Sequence, residues 1–411
     1  MKKKNKLLFI LGIIGPGLIT VNAGNDAGGI ATYATVGASY SYKMLWGLLL
    51  ITFSLAVIQE MNARMAVVTG KGLSDLIREN YGVKWSLFAM LILFIANFGV
   101  CVGDFAGIAA SLELFGISKY ITVPIMAFLV WLVITKGSYA KTEKVFLAFT
   151  FVFFTYIITC IKVHPDWHTV IKTTVTPSIS FSNGYILTFI GMIGTTITPY
   201  MQFYLQSAVV DKGLSIKEYK YEKLDVYLGA VWGNLVAFFI IVCTAVTLYK
   251  YGIKINSAQE AAMALKPLAG NYATILFAAG LFGASVLATM IIPLSTTYAI
   301  CETFGLERGL DNSFKEAKTF YGIFTFMILF SSALVLVPKL SLVGIMLVTQ
   351  QIAGILCPVI LIFMVLLINN KDIMGKYINN KLQNIIVYIT VVFIIVLSVI
   401  LFVSPIINKL I

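Results

Sequence analysis

Long apolar segments dominate this sequence and leave few structures open to it. Of the 411 residues, 59 % are apolar and only 12 % are charged, a composition far more apolar than a soluble domain of this length needs. Windows of about 20 apolar residues, the length of a membrane-crossing helix, identify eleven candidate spans. They lie near residues 8–40, 44–68, 85–113, 120–136, 143–163, 184–210, 225–250, 272–302, 319–338, 342–368 and 383–404. We therefore predict an all-α polytopic membrane protein, with residues 1–411 forming a single transmembrane domain.

The basic residues predict the orientation of these spans. When the spans are placed in alternation, 21 of the 30 Lys and Arg residues fall on the side of the N-terminal tail. Basic loops stay in the cytoplasm, so we expect a cytoplasmic N-terminus and an extracellular C-terminus. The lysine-rich tail precedes an apolar run without a convincing cleavage site, so the first span should remain in the membrane. Few cysteines, short loops and many Lys, Ile and Asn residues suit a bacterial plasma membrane.

Two spans are interrupted by residues that a membrane helix rarely carries. Residues 24–29 (GNDAGG) place three glycines and a carboxylate at a depth where hydrocarbon tolerates neither broken backbone nor charge. In the sixth span, Pro199 removes a backbone donor and disfavours helical geometry at Thr198. Because the two breaks are five spans apart, we predict a five-plus-five inverted repeat with a site between the broken helices. The repeats would cover residues 8–163 and 184–368, and residues 383–404 would form an additional helix.

Asp26 is the strongest candidate for a cation ligand. A carboxylate inside a membrane is costly unless it meets a cation, a proton or water. Capping the following half-helix through the Gly28 or Gly29 amide is an alternative role, compatible with the first. Thr195 and Thr198 are three residues apart and are expected to share one helix face, although such hydroxyls often bond their own backbone. With no sulfur or imidazole expected beside them, these oxygens predict a site for Mg²⁺, Ca²⁺ or Mn²⁺.

Other polar residues inside the spans have open roles. Asp104 could carry a proton, act as an electrostatic relay or form an ion pair. Gln350 or Gln351 could offer an amide oxygen to the site. Glu60 and Arg64 are one helical turn apart, and a plain intrahelical ion pair is the favoured interpretation.

Several function classes are disfavoured by what the sequence contains. The five cysteines are scattered singly and the two histidines lie in one loop, so neither a disulfide framework, a zinc site nor a haem is indicated. No acid–base pair, nucleophile triad or cofactor motif is present, which disfavours an enzyme. The net charge of +12 comes from residues between the spans, so it does not indicate nucleic-acid binding. Residues 257–265 (SAQEAAMAL) could form a short surface helix that serves as a connection.

Three stretches carry a resemblance to the NRAMP divalent-metal transporters. Residues 15–17 (GPG) and the break at 26–29 (DAGG) resemble the family's first helix, with its Asp-Pro-Gly-Asn motif. Residues 194–207 (GTTITPYMQFYLQS) are similar to the family's Met-Pro-His-Asn region, and residues 59–79 (QEMNARMAVVTGKGLSDLIRE) to its second-helix signature. The resemblance covers essentially all eleven spans and implies a LeuT-like fold.

The resemblance also implies roles for individual residues. Asp26 matches the family's metal-binding Asp, and Ala23 matches a carbonyl donor of the first helix. Thr195 stands where the family uses the backbone carbonyl of an Ala, and Gln350 matches a tenth-helix Gln. Asp104 aligns with a third-helix Asp that takes part in proton transfer.

The chain departs from the family pattern at four positions. Gly29 replaces the Asn ligand, Thr198 the Met ligand and Tyr200 the sixth-helix His, while Gly107 replaces an acidic residue one turn beyond Asp104. The ninth span has no Arg to complete the family's charge relay. These departures are similar to those of the NRAMP-related magnesium transporters. Loss of the thioether removes the preference for Mn²⁺, Fe²⁺ and Cd²⁺, and glycine in place of Asn should open room for a hydrated cation.

We therefore expect a monomeric carrier that imports Mg²⁺, with Mn²⁺ tolerated, by alternating access and without strong proton coupling. Its partners would be the metal ion and the bilayer, with no cofactor. The predicted metal site consists of Asp26, Thr195, Thr198, Ala23, Gly29 and Gln350, with Asp104 and Tyr200 as relay residues.

Three other interpretations stay open. A proton-coupled Mn²⁺/Fe²⁺ symporter of the NRAMP type is the nearest, and competition by Cd²⁺ would reveal it. An organic-substrate symporter of the same fold is disfavoured because Asp26 would repel an anionic substrate. A channel or a membrane sensor is disfavoured because two broken helices in one chain indicate a carrier.

Overall fold

The computed structural model describes residues 17, 20–21, 24–136, 154–307, 309–310 and 314–410, with the side chains of residues 154, 271 and 402–410 left aside. The described chain is helical because backbone groups in hydrocarbon must find partners within their own segment. The helices of five or more residues are α1 Ala27–Tyr40, α2 Leu45–Thr69, α3 Leu73–Glu113, α4 Lys119–Thr135, α5 Phe154–Lys162, α6 Trp167–Val175, α7 Asn183–Thr196, α8 Pro199–Asp211, α9 Tyr219–Thr247, α10 Ala258–Ala262, α11 Ala273–Phe304, α12 Lys318–Val335, α13 Leu342–Ile368 and α14 Lys381–Leu410.

Among the described residues, seven helices are long and apolar enough to cross a membrane: α2, α3, α9, α11, α12, α13 and α14. This confirms the prediction of an all-α, multi-pass membrane protein. Ala23, most of the first span before residue 24 and the fifth span up to residue 153 lie outside the described residues. The count of eleven spans and the inverted repeat therefore stay predictions.

Several element boundaries differ from the prediction. The α3 helix begins at Leu73 rather than near residue 85, and it bends at Gly82, whose φ of 74° suits a residue without a side chain. The α6 helix lies in a segment that was expected to be a loop, and Asp166 caps it by accepting from the His168 and Thr169 amides. The predicted helix within residues 257–265 forms as α10, with a capping box made by Ser257 and Glu260.

Small residues bring α7 and α13 into close backbone contact. A Cβ placed on Gly194 of α7 would lie 2.1 Å from the Gln350 carbonyl oxygen, and a Cβ on Gly354 of α13 would lie 2.4 Å from the Ile190 carbonyl oxygen. Membrane helices associate through such small residues because van der Waals packing replaces the hydrophobic effect there. The α13 helix is therefore held directly against the helix that leads into the second break.

The predicted pair of Glu60 and Arg64 is present but belongs to a larger buried cluster. Arg64 Nε lies 3.3 Å from Glu60 Oε1, and both side chains are buried. Glu60 also accepts from the Tyr219 hydroxyl of α9 and, at 2.9 Å, from Gln383 Nε2 of α14. Arg64 donates to the Ile378 carbonyl at 3.0 Å and to the Asn379 side chain. The sequence indicated only the pair within α2, whereas the cluster joins α2 to three other parts of the fold.

This cluster predicts a large stability difference between two deletions of basic side chains. Arg64→Ala should lower stability by about 3–5 kcal/mol, because it leaves the buried Glu60 charge without its partner. Lys71→Ala breaks the exposed pair with Glu79, whose side chains are 45 % and 50 % exposed, and should cost less than about 1 kcal/mol. Thermal unfolding of the two purified variants in the same detergent tests this. Equal melting temperatures would contradict the cluster's role.

Candidate cation site between two helix breaks

The first break lies immediately before α1. Gly24 is helical, Asn25 and Asp26 are not, and α1 begins at Ala27. Asp26 has extended backbone (ψ −174°), and its Oδ1 accepts from the Gly29 amide at 2.6 Å. Asp26 therefore caps α1, as the alternative role predicted, and its carboxylate sits at the positive end of the helix dipole.

Gln350 of α13 holds the same carboxylate from the opposite helix. Its Nε2 lies 3.1 Å from both carboxylate oxygens of Asp26. The approach requires glycine at position 28, because a Cβ there would lie 2.1 Å from Gln350 Nε2. The amide nitrogen faces the Asp26 carboxylate, and Gln350 Oε1 is buried without a partner among the described residues. The expectation that this oxygen binds a cation stays a prediction. Rotation of the amide would present that oxygen to a cation.

The second break separates α7 from α8. The α7 helix ends at Thr196, and Pro199 occupies the start of α8, where its missing amide costs nothing. Thr198 is extended (φ −80°, ψ 146°), as expected for a residue before proline. The Ile197 carbonyl accepts from Cys357 Sγ of α13 at 3.0 Å, and the Thr198 carbonyl from Gln202 Nε2 at 3.2 Å. Side chains thus replace helical partners at the break.

The prediction that Thr195 and Thr198 share one helix face is wrong. Thr195 lies in the last turn of α7, whereas Thr198 lies in the extended link, because Pro199 ends the helix between them. The Thr198 hydroxyl is buried and has no partner among the described residues.

Thr195 brings the two breaks together. Its hydroxyl lies 3.5 Å from the Gly24 carbonyl oxygen. A Cβ placed on Gly29 would lie 2.7 Å from Thr195 Oγ1, 3.0 Å from the Gly24 carbonyl oxygen and 3.3 Å from Asp26 Oδ1. A side chain at position 29 would therefore meet the Thr195 hydroxyl, and glycine lets the two breaks approach each other. The expectation that this glycine gives room to a hydrated cation stays a prediction.

Asp104 of α3 contacts the start of α1 directly. Its Oδ1 accepts from the Ala27 amide at 3.2 Å, and its Oδ2 has no partner in the described part of the chain. A Cβ on Gly107 would lie 2.3 Å from Ala27 Cβ and 2.4 Å from Ser285 Oγ. Close packing thus leaves no space for an acidic side chain at position 107, and Asp104 is the carboxylate that α3 places next to Asp26.

Sulfur lies closer to the breaks than the sequence suggested. Besides the Cys357 thiol at Ile197, the Met201 methyl group lies 1.8 Å from the point where a Cβ on Gly24 would stand. Neither contact is with the side chain of Thr195 or Thr198, so the expectation that no sulfur joins these two hydroxyls stays a prediction. Sequence spacing could not reveal the two contacts, because Met201 follows the break and Cys357 comes from another helix.

The remaining predicted residues divide between the site and its surroundings. The Tyr200 hydroxyl is buried without a partner among the described residues. Gln351 packs near Gly191 of α7 instead of reaching the breaks. The Tyr33 and Thr196 hydroxyls, which the sequence did not single out, are 2.8 Å apart beside the second break.

The assembled site is closed to solvent and has little charge. Asp26 and Thr195 are each 1 % exposed, and Thr198, Gln350 and Asp104 are 0 % exposed. Within the described ranges, no group of three or more His, Cys, Asp or Glu side chains could hold a metal. A bound cation would therefore rest on very few carboxylates and otherwise on neutral oxygen donors.

Comparisons with known proteins agree with this architecture. A "Divalent metal cation transporter MntH" from Caldanaerobacter subterraneus subsp. tengcongensis is 24 % identical over 416 residues, covering 97 % of this chain and 95 % of the relative. The crystal structure of the Eremococcus coleocola manganese transporter, in complex with an aromatic bis-isothiourea substituted compound, superposes with a TM-score of 0.76. It is 18 % identical and covers 95 % of this chain and 86 % of that one.

A more distant structure has the same general fold. MhsT in complex with L-phenylalanine superposes with a TM-score of 0.57 at 12 % identity, covering 96 % of this chain and 98 % of that one. The family model described as "Natural resistance-associated macrophage protein-like" matches residues 17–404. That match includes both helix breaks and the helices around them, so the chain belongs to the Nramp family.

Proposed function

We propose that this protein carries divalent metal cations across a membrane, with Mn²⁺ as its principal cargo and with protons moving in the same direction. As a member of the Nramp family, it is a transporter and not an enzyme. The related chains carry the name of divalent metal cation transporter, and the Eremococcus coleocola neighbour is a manganese transporter. The cargo and the coupling are inferred from these relatives together with the donors at the two breaks.

Asp26 would supply the negative charge of the metal site. Thr195, which lies beside Gly29, and Thr198 of the second break would add hydroxyl oxygens, and Gln350 would add its amide oxygen after rotation. The carbonyl oxygen of Ala23 would complete the donor set, and Gly29 would contribute through its amide, which already bonds Asp26. Oxygen donors of this kind suit Mn²⁺ as well as Mg²⁺.

The observation that carries the choice of Mn²⁺ is the packing of Thr195 against Gly29. A Cβ placed on Gly29 would lie 2.7 Å from Thr195 Oγ1 and 3.3 Å from Asp26 Oδ1, so oxygen donors from both breaks crowd the space beside Asp26. Mg²⁺ dehydrates reluctantly and usually keeps several waters. A tight pocket therefore favours a cation that exchanges water for protein oxygens more readily.

Mg²⁺ is a second candidate, favoured by one specific feature. The Thr198 hydroxyl, buried without a described partner, stands where the family places a thioether. A site without that soft ligand loses the basis for preferring transition metals over hard ions. Under this alternative, uptake would proceed without strong proton coupling.

Asp104 would carry the coupled proton. Its carboxylate shares the start of α1 with Asp26, through the Ala27 and Gly29 amides respectively. Two carboxylates at one buried site repel each other, so one of them favours a proton until a cation arrives. Tyr200, one residue beyond Pro199, could extend the relay from the second break.

The transport cycle would be alternating access about the two breaks. We infer a monomeric carrier built from two inverted repeats, residues 8–163 and 184–368, with the helix at 383–404 added. We also infer a cytoplasmic N-terminus and a bacterial plasma-membrane location, from the distribution of basic residues. Asp26 itself is buried, with 1 % of its surface exposed.

Metal uptake into proteoliposomes tests the cargo and the role of Asp26. With a metal-sensitive dye inside, Mn²⁺ should enter and compete effectively against excess Mg²⁺. Asp26→Asn keeps an acceptor for the Gly29 amide but removes the charge, and should reduce uptake by about 100-fold or more, since buried charge interactions are worth several kcal/mol. Asp372→Asn on the exposed Lys371–Met374 turn is the matched control and should transport normally. Mg²⁺ entry without Mn²⁺ entry would refute the Mn²⁺ proposal.

A pH dye in the same vesicles tests the coupling. Wild-type uptake of Mn²⁺ should acidify the lumen, and Asp104→Asn should abolish acidification while some metal flux remains, because the amide cannot carry a proton. The oxygen of the substituted amide can still accept from the Ala27 N–H, so folding should be preserved. Acidification that persists in this variant would exclude Asp104 as the carrier.

Thr198→Met tests the selectivity of the second break. A thioether at this position adds a soft donor, so Cd²⁺ should inhibit uptake about tenfold more effectively than it inhibits the wild type. Ser54→Met, on α2 and away from both breaks, is the control. An unchanged Cd²⁺ sensitivity in Thr198→Met would mean that this side chain does not face the cation.

A further inference from the structure

Three lysines from separate segments surround one groove far from the breaks. Lys162 ends α5, Lys250 lies in the Tyr249–Tyr251 turn after α9, and Lys266 begins the short helix Lys266–Ala269. We call the space between them the lysine groove; its volume is about 650 Å³. Its floor is mostly apolar, formed by Val163, Val246, Ile253, Met263 and Pro267.

The positive charge of the lysine groove has no counter-charge in the described part of the chain. The ion pairs found there are Glu60 with Arg64 and Lys71 with Glu79, both elsewhere in the fold. Glu260, the acidic residue of the segment between α9 and α11, is bonded to the Asn256 and Ser257 amides at 2.5 and 2.9 Å. A groove lined by three lysines and several apolar residues is suited to an anion that also has apolar surface.

The groove lies at the level expected for lipid headgroups. Tyr251 and Tyr272 are 71 % and 70 % exposed, at the end of α9 and just before α11, and exposed tyrosines mark the membrane–water interface. On α5, in the turn that leads to Lys162, Ile158 and Ile161 are 52 % and 61 % exposed. Because these two side chains are apolar and exposed, we expect them to contact the acyl chains of lipids. The groove therefore opens sideways toward the bilayer.

We propose that the lysine groove binds one anionic phospholipid. The lipid phosphate would lie between Lys162, Lys250 and Lys266, and an acyl chain would follow the exposed isoleucines of α5. Basic pockets between membrane helices recognise anionic headgroups in this way. A zwitterionic lipid fits less well, because its own ammonium group would be repelled. The bound lipid would join the end of α5 to the segment that connects α9 to α11.

Native mass spectrometry of the full-length, delipidated protein tests this assignment. The first phosphatidylglycerol should bind at least about tenfold more tightly than the first phosphatidylcholine, since each lysine near a headgroup adds to the attraction. The triple variant Lys162→Gln, Lys250→Gln, Lys266→Gln should lose this preference. The control variant Lys43→Gln, Lys172→Gln, Lys339→Gln removes three exposed lysines elsewhere and should keep it.

Each remaining outcome decides the proposal. Equal loss in both triple variants would indicate a general charge effect and overturn the groove as a site, and equal binding of the two lipids by the wild type would do the same. Displacement of phosphatidylglycerol by millimolar inorganic phosphate would reassign the groove to a free anion. If the triple variant does not fold, the three single variants replace it, and each should weaken binding by a smaller factor while Lys43→Gln does not.

Discussion

The structure depends on how backbone groups are satisfied where two helices are interrupted inside an apolar environment. Hydrocarbon supplies no hydrogen-bond partners, so each group freed by a break must find one in the protein. At the first break, the Asp26 carboxylate takes the Gly29 amide and Asp104 takes the Ala27 amide. At the second break, Cys357 bonds the Ile197 carbonyl. The breaks persist because other helices provide these partners.

One helix, α13, supplies hydrogen-bond donors to both breaks. On α13, Gln350 bonds Asp26 at the first break and Cys357 bonds Ile197 at the second. These two residues are about two helical turns apart, so they share a face of α13. The same helix packs closely against α7 through Gly194 and Gly354. A single helix therefore contacts both breaks and contributes to the separation between them.

The donors at the site explain why a carboxylate can be buried there. Asp26 is surrounded by N–H groups, from the Gly29 amide and the Gln350 side chain, and the dipole of α1 adds to their effect. A cation would have to displace some of these donors. Gln350 can exchange its nitrogen for its oxygen by rotation, whereas the backbone amides are fixed. The glutamine is thus the adaptable member of a site that is otherwise set by backbone geometry.

The buried cluster on α2, like the breaks, depends on hydrogen-bond partners from other parts of the chain. Glu60 and Arg64 can be buried because α9, α14 and the turn at residues 378–379 supply partners for both charges. The i,i+4 spacing within α2 accounted for the ion pair alone. The contacts from Tyr219, Gln383 and Asn379 come from residues more than 150 positions away in the chain, so spacing could not indicate them.

Sequence by itself determined the membrane-embedded helical class, most helix positions and the location of both breaks. Apolar length, glycine and proline act locally, and Pro199 sets the geometry of Thr198 whatever surrounds it. Asp26 and Asp104 could be chosen because carboxylates are costly in hydrocarbon. Only the tertiary structure decided which donor and acceptor atoms lie next to one another. It placed Thr195 in the space beside Gly29, turned the Gln350 nitrogen toward Asp26 and brought Cys357 to Ile197, because those contacts depend on the packing of helices far apart in the chain.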